Sequence, residues 1–265
     1  VWKTHTALAP NHFWVEHNFI TEGSIVLDNE LTIDLPAASK VKVKTQPGFD
    51  PPTIKEENDR RIYGWKHAKL KPDEEKKKDE EAESEEPEEP APHVQLTTFQ
   101  NWDEVGQWYA DLQRDRIVPD EKIKAKAEAV ISGRTTDKEK VRALYDYVSK
   151  NFRYVSLSLG QGRYQSHAAA SVLNNQYGDC KDKHTLLAAM LAATGLRAFP
   201  VLIGASRALD VDMPSPAQFN HVISAIPLGN ETLWADTTAE ITPLGLLEPA
   251  LRDKKTLLIP GTGPA

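Results

Sequence analysis

One residue of the chain is a sulfur nucleophile, and its surroundings are chemically suggestive. Cys180 opens the run Cys180 to Thr194, which favours helix, with Asp179 placed to cap it, Gly178 to permit a sharp entry and Gly195 to end it. Leu186 to Ala193 is apolar all round, the pattern of a helix buried inside a domain, whereas its first turn is charged and is expected to face water. The thiolate is the reactive form of cysteine, and a free thiol with a pKa of about 8.5 is mostly protonated at neutral pH. The helix dipole, Lys181 and Lys183 favour an anion at this position, Asp179 and Asp182 oppose one, and a base is therefore needed. The N–H groups of the same helix start, that of Cys180 included, can donate to an oxyanion on an attacked carbonyl.

A base and a carboxylate follow downstream. His221 to Ile226 reads as a strand, Leu228 to Glu231 as a turn, and Thr232 to Asp236 as the returning strand. A loop of two or four residues centred on Gly229-Asn230 puts Asp236 opposite Ile223 and His221 opposite Thr238, on one face as diagonal neighbours. A loop of three or five would send them to opposite faces. An imidazole to take the thiol proton and a carboxylate to fix its tautomer make Cys180, His221 and Asp236 a candidate nucleophile, base and orienting group. Two blander readings stay open at this point. Cys180 is equally well a small core residue among ordinary sheet residues. Alternatively, Cys180 and His184, four apart on a helix, are joined by His221 or Asp236 around a metal, an uncommon mixed site.

The elements that must hold these residues fall into two kinds. Residues 1–70 are β-rich, with Leu31 to Leu35 and Val41 to Lys44 alternating and turn signals at Asp28-Asn29 and Pro47-Gly48. Trp2, Trp14 and Trp65 are expected to be core or sheet-surface aromatics, and His5, His12 and His17 surface residues. Residues 71–95 form an acidic linker or insertion expected to be disordered. Residues 96–265 turn helical, with apolar stripes at Val105, Trp108, Tyr109 and Leu112, at Ile123, Ala127, Val130 and Ile131, and at Val141, Leu144, Tyr145 and Val148. The third stripe starts with a capping box from Thr136 to Glu139. A short strand is expected at Arg153 to Leu157. The Gly160-Gln161-Gly162 that follows lacks the third glycine or the Lys-Ser/Thr of a phosphate loop. The fold class is α+β: helices on one antiparallel sheet, preceded by a β-rich domain.

Composition excludes several functions. Residues 71–92 hold four Lys and 11 Asp/Glu and so account for the whole formal charge of −7. The rest of the 265-residue chain is neutral and has no basic face for nucleic acid. No apolar run is long enough to cross a membrane. A single cysteine excludes an internal disulfide framework and a multi-cysteine zinc module. The start at Val1, without an initiator Met or a leader, reads as that of an excised fragment.

The segments YGDCKDKHTLLAAMLAATGL, FNHVISAI and LWADTTAE together resemble the transglutaminase-like superfamily of papain-like cysteine enzymes. The likeness is to bacterial members in which a β-rich domain of unknown function comes first, and it extends to NFRYVSLSLGQGRYQSHAAASVL ahead of the cysteine. It implies Cys180 as nucleophile, His221 as general base and then acid, and Asp236 as orienting carboxylate, on a cysteine-bearing helix packed against an antiparallel sheet. It further implies a peptide or protein substrate, amide chemistry through a thioester, no cofactor or metal, and a place outside the bacterial cytoplasm. His184 departs from the family, where a small residue such as Ala is common, and is expected to fill space. Gln165 is a weak candidate for lining the cleft, and Gly204 to Phe219 is either a lid over it or an inert connection. The alternative is a non-catalytic interaction module of the cell envelope.

Overall fold

Alternation in the amino-terminal third becomes six antiparallel strands. The computed structural model describes residues 9, 11–20, 25–69, 90–156, 160–259 and 261; most of the acidic linker, with Trp2 and His5, lies outside the described residues. The strands are β1 (Trp14–His17), β2 (Val26–Pro36), β3 (Lys42–Thr45), β4 (Thr53–Glu57), β5 (Arg60–Lys69) and β6 (Val94–Thr97). They form two sheets, ordered β1-β6-β3 and β2-β5-β4. Inward-facing Ile33, Tyr63, Trp65, Val94 and Leu96 meet Phe19 in one apolar core. β2 runs straight through Asp28-Asn29, where the sequence suggests a turn. A register shift between Val26 and Asn29 absorbs the irregularity. The Asn29 side chain is consumed by the backbone carbonyl of Phe19, at 3.1 Å, and by His17 Nε2, at 3.3 Å.

His12 and His17 are half-buried rather than surface residues, and His12 stacks on Phe99 at 4.0 Å. His17, His67 and His93 surround Phe19 and Phe49. His93 stacks on Phe49 at 4.1 Å, and its Nδ1 accepts the Phe19 N–H at 2.9 Å. Burial, then the neighbouring His67 and His17, holds the His93 pKa below the ordinary 6.5. The unfolded chain therefore binds the extra proton first. The contribution of this group to stability is complete above about pH 6.5 and shrinks as the pH falls through that value toward the folded-state pKa. The urea midpoint of the β-rich unit is expected to drop between pH 7.5 and pH 5, and His93→Gln to flatten that dependence. An unchanged pH dependence in the variant would assign the effect elsewhere.

Contacts divide the chain into Asn11–Asn101 with Asp210–Ala217, and Trp102–Leu209 with the residues from Gln218 onward. The division falls after residue 101 rather than at 96 because β6 is the central strand of its sheet. Asp210–Ala217, the middle of the proposed lid, is bonded within the β-rich unit. Lys44 Nζ pairs with Asp210 at 2.5 Å, and the Thr97 hydroxyl donates to the carbonyl of Pro214 at 2.9 Å.

The second unit comprises α1 (Trp102–Gln113), α2 (Glu121–Ile131), α3 (Asp137–Asn151), β7 (Arg153–Tyr154), α4 (Ala169–Asn175), β8 (Tyr177–Gly178), α5 (Cys180–Ala193), β9 (Phe199–Ile203), β10 (His221–Leu228), β11 (Glu231–Ala235) and β12 (Thr256–Leu258). Asp120 caps α2, and Thr136 with Glu139 forms the capping box of α3. α4 and β12, too short for a periodic signal, are not anticipated by the sequence, and the GxG segment is part of a short 3-10 turn. β9 to β12 make one antiparallel sheet in the order β11-β10-β9-β12. α5 is the central helix, packed against α2, α3, α4 and β10. Its Leu186, Leu187, Met190 and Leu191 are fully buried among Ile123, Leu144 and Val148. Burial contributes about 1.5–3 kcal/mol for each such side chain. The fold is α+β, with a sheet-rich region before a helix-on-sheet core.

Candidate active site

Cys180 is the first residue of α5, half-buried, and Asp179 caps the helix through a second capping box with Asp182. The charged first turn does not face water. Lys181, Asp182, Lys183 and His184 are all under 5 % exposed, because each charge or polar ring has an internal partner. Lys181 pairs with Asp179. Asp182 accepts the backbone N–H of His167 at 2.7 Å and meets its ring Nδ1 at 3.0 Å. The Lys183 ammonium donates to the carbonyls of Ser149, at 3.1 Å, and Phe152, at 2.8 Å, tying α5 to the end of α3. Burial pulls its pKa down to about 8, against the attraction of Glu240 and Asp236. The two lysines thus serve the framework of this turn.

Gly178 has no positive φ. Its role is close approach rather than a sharp entry, since a Cβ there would lie 2.6 Å from the Cβ of Asp182. Gly178→Ala is expected to push Asp182 out of the capping box and cost about 1–3 kcal/mol, the usual toll of overpacking. A thermal melt reads that loss, and a variant as stable as wild type would mean the turn has room to adjust.

His184, one turn beyond the cysteine, does more than fill space: its Nδ1 lies 2.7 Å from the Ser224 hydroxyl of β10. Burial takes its pKa down to about 3, so the ring stays neutral and pins α5 to the strand without adding charge. Ser224 and Ile226 turn toward α5, while Ile223 and Ala225 join Val201, Ile203 and Leu251 in a second core.

The β10–β11 hairpin closes with the two-residue loop Gly229-Asn230, and its pairs run from Ser224 opposite Ala235 to Leu228 opposite Glu231. Continued by one step, this is the register that sets Asp236 opposite Ile223. His221 Nε2 lies 2.8 Å from Asp236 Oδ2. The other carboxylate oxygen accepts the backbone N–H of Thr238 at 2.9 Å and its hydroxyl at 2.7 Å. Tyr145, on α3, donates to the backbone carbonyls of Asp236, at 2.9 Å, and Thr242, at 2.7 Å, so it anchors the chain at the carboxylate. Cys180 acts on the His221 side chain and helps to raise its pKa. His221 and Asp236 are thus joined side chain to side chain, and Cys180, at the start of α5, acts electrostatically on the same imidazole.

Electrostatics match that arrangement. Burial works to lower the His221 pKa, but the hydrogen bonds and charges of Asp236 and Cys180 outweigh it and raise it to about 10. Burial works to raise the Asp236 carboxyl, yet His221 and Thr238 hold it below the usual carboxylate range. The Asp236 carboxylate is thus favoured as an anion beside the imidazole. Gln165 is engaged elsewhere, donating to the carbonyl of Leu112 at 3.4 Å. Tyr145, Thr238 and Ser224 give no sequence signal as site residues, because their contacts cross some 40 to 97 positions of the chain or lie in an irregular turn. Among the described residues, no group of three or more His, Cys, Asp and Glu has the arrangement of a metal site.

This helix-on-sheet core is that of a transglutaminase-like domain. Residues 124–208 match the transglutaminase-like superfamily, a span that includes Cys180 and stops before His221 and Asp236. Residues 2–74 match the domain of unknown function DUF3857. The chain therefore carries a DUF3857 region followed by a transglutaminase-like core. A "putative protease" from Parabacteroides distasonis shares the fold, with a TM-score of 0.65, 16% identity and 87% of this chain covered. The chain spans 43% of the length of that protein. A "putative cysteine protease" from Cytophaga hutchinsonii (14% identity, 88% of this chain and 78% of that one) and a "TGase" (16% identity, 74% and 45%) align at TM-scores of 0.39 and 0.30, too low to bear on the fold. No curated protein matches the chain.

Proposed function

We propose that the chain is a cysteine enzyme acting on amide bonds of peptides or proteins, with Cys180 as nucleophile, His221 as acid–base group and Asp236 as the carboxylate that orients it. The 2.8 Å contact of His221 with Asp236, with Cys180 at the start of a buried helix acting on the same ring, supports this reading. In the proposed reaction His221 holds the proton of the thiol, and the sulfur attacks the carbonyl carbon. The Cys180 N–H, at the first position of α5, is placed to donate to the oxyanion. Collapse expels the amine, which takes its proton from His221, and leaves a thioester on Cys180. Water or a second amine then attacks while His221 removes its proton, and the thiol is regenerated. These steps call for no cofactor. Water makes the enzyme a protease or amidase, and an amine makes it a transglutaminase. An extracytoplasmic place in a bacterium belongs to the same proposal, as does a division of labour among a β-rich domain, an acidic linker and the cysteine domain.

Peptide profiling by mass spectrometry, wild type against Cys180→Ala and with or without an added amine, tests it. Cleaved peptides mean hydrolysis, and amine adducts on glutamine mean transfer. Neither product, together with a Cys180 whose alkylation is unaffected by His221→Ala, would leave a non-catalytic interaction module.

A further inference from the structure

Asp182 is buried two residues after the cysteine, and its carboxylate closes the capping box of α5. A buried carboxylate needs several donors, because burial without them penalises its charge. One oxygen accepts the backbone N–H of His167 at 2.7 Å. The other meets the His167 ring Nδ1 at 3.0 Å and accepts the Asp179 N–H at a longer 3.3 Å. His167 therefore grips the carboxylate through backbone and ring together. An ionised carboxylate only accepts, so the ring proton in this contact sits on Nδ1. The residues around His167 are fixed from two helices. The Ser166 hydroxyl donates to Gln113 of α1 at 2.7 Å and accepts that of Thr185 of α5 at 2.9 Å. The Ala169 N–H donates to the carbonyl of Arg116 at 2.8 Å. The imidazole is 70% exposed, yet it projects from a rigid bracket onto a buried charge.

We propose that His167 is a positioning residue for Cys180: its Nδ1–H holds the Asp182 carboxylate in the capping box and so keeps closed the helical turn that begins at the sulfur. This rests on Cys180 being the nucleophile. Without the ring, the second oxygen of Asp182 keeps only the 3.3 Å bond from Asp179. A buried anion short of a donor turns out to water or takes up a proton. Either response undoes one half of the box. The N–H groups at the start of α5 then lose the fixed aim that an oxyanion requires.

Three substitutions test the role. Asparagine offers an amide N–H where Nδ1–H stood, glutamine offers one a bond further out, and alanine offers none. Alkylation of Cys180 by iodoacetamide at pH 7 is expected to slow about tenfold in His167→Ala and His167→Gln, the worth of one hydrogen bond to a charged group, and to stay within about twofold of wild type in His167→Asn. Hydrogen exchange of the amides in the first turn of α5 should quicken in the same two variants. Equal rates across the series overturn the proposal, whether all match wild type or all are slow. A lower melting temperature with unchanged alkylation also overturns it, since the contact would then be structural alone. Should His167→Ala fail to fold, the asparagine–glutamine comparison decides. Nitrogen NMR of the wild-type ring gives a readout free of substitution: the Nδ1–H tautomer supports the proposal, and the Nε2–H tautomer overturns it. His221→Ala run alongside separates the two ideas. If it slows alkylation and the His167 series does not, the nucleophile stands and the His167 role falls; if His221→Ala leaves alkylation unchanged, the enzyme reading itself fails.

Discussion

Replacing His221 with alanine is expected to lower kcat/KM on any cleaved or modified peptide by about four orders of magnitude, the scale on which base-assisted nucleophiles depend on their base. The physical reason lies in one proton. His221 is the proposed base for the thiol, and Asp236 holds its pKa high against burial. Without the ring, the proposed attack has no general base. Asp236→Asn should cost nearly as much while preserving volume, because an amide in place of the 2.8 Å carboxylate contact no longer selects the tautomer or stabilises imidazolium. The double variant should be little worse than His221→Ala, since residues that act as a unit are not additive. Steady-state kinetics on the best peptide from the profiling would check all three. Additive losses would mean that the two residues act separately, against the proposed orienting role of Asp236.

The largest effect on stability is expected at Lys183. This side chain is fully buried, and its ammonium closes the end of α3 by donating to Ser149 and Phe152. Lys183→Met keeps the stem and removes the donors, leaving two buried carbonyls without that partner. The cost should be about 3 kcal/mol, the low end for breaking a buried charged contact. For a unit of this size that is a fall of roughly 6–12 °C in melting temperature. Because the same turn begins with Cys180, the variant should also react with iodoacetamide less uniformly, as α5 loses its tie to α3. A melting temperature within a degree or two of wild type would show that the ammonium is replaceable, and that packing alone seats the helix.

Local chemistry made much of this legible in advance. The cap at Asp179, the stop at Gly195 and the capping box at Thr136 are short-range devices, written in adjacent residues and realised as such. The hairpin was legible but its register was conditional on loop length, and the two-residue loop of the structure selects the register that sets Asp236 opposite Ile223. Asp28-Asn29 shows the opposite case. Its turn propensity was overridden once the Asn29 amide could be spent on Phe19 and His17, residues that adjoin it only in the folded sheet. β6 carries no helix or hairpin signal, yet it is central because β1 and β3 both pair with it.

From the sequence alone came the helix that begins at the cysteine and the strand that begins at His221, with the phase of Asp236 left to the loop length that the structure decided. These depend on periodicity and turn length, which act over a few residues. Tertiary structure alone decided the environment of those groups. A first turn rich in charge reads as wet, and it is dry because Ser149, Phe152 and His167 arrive from distant segments to pair with it. Tyr145 was legible as a member of an apolar stripe, but only the packed molecule puts its hydroxyl on the backbone of Asp236. Burial and long-range hydrogen bonds set a proton affinity, and neither is a property of neighbouring residues in the chain.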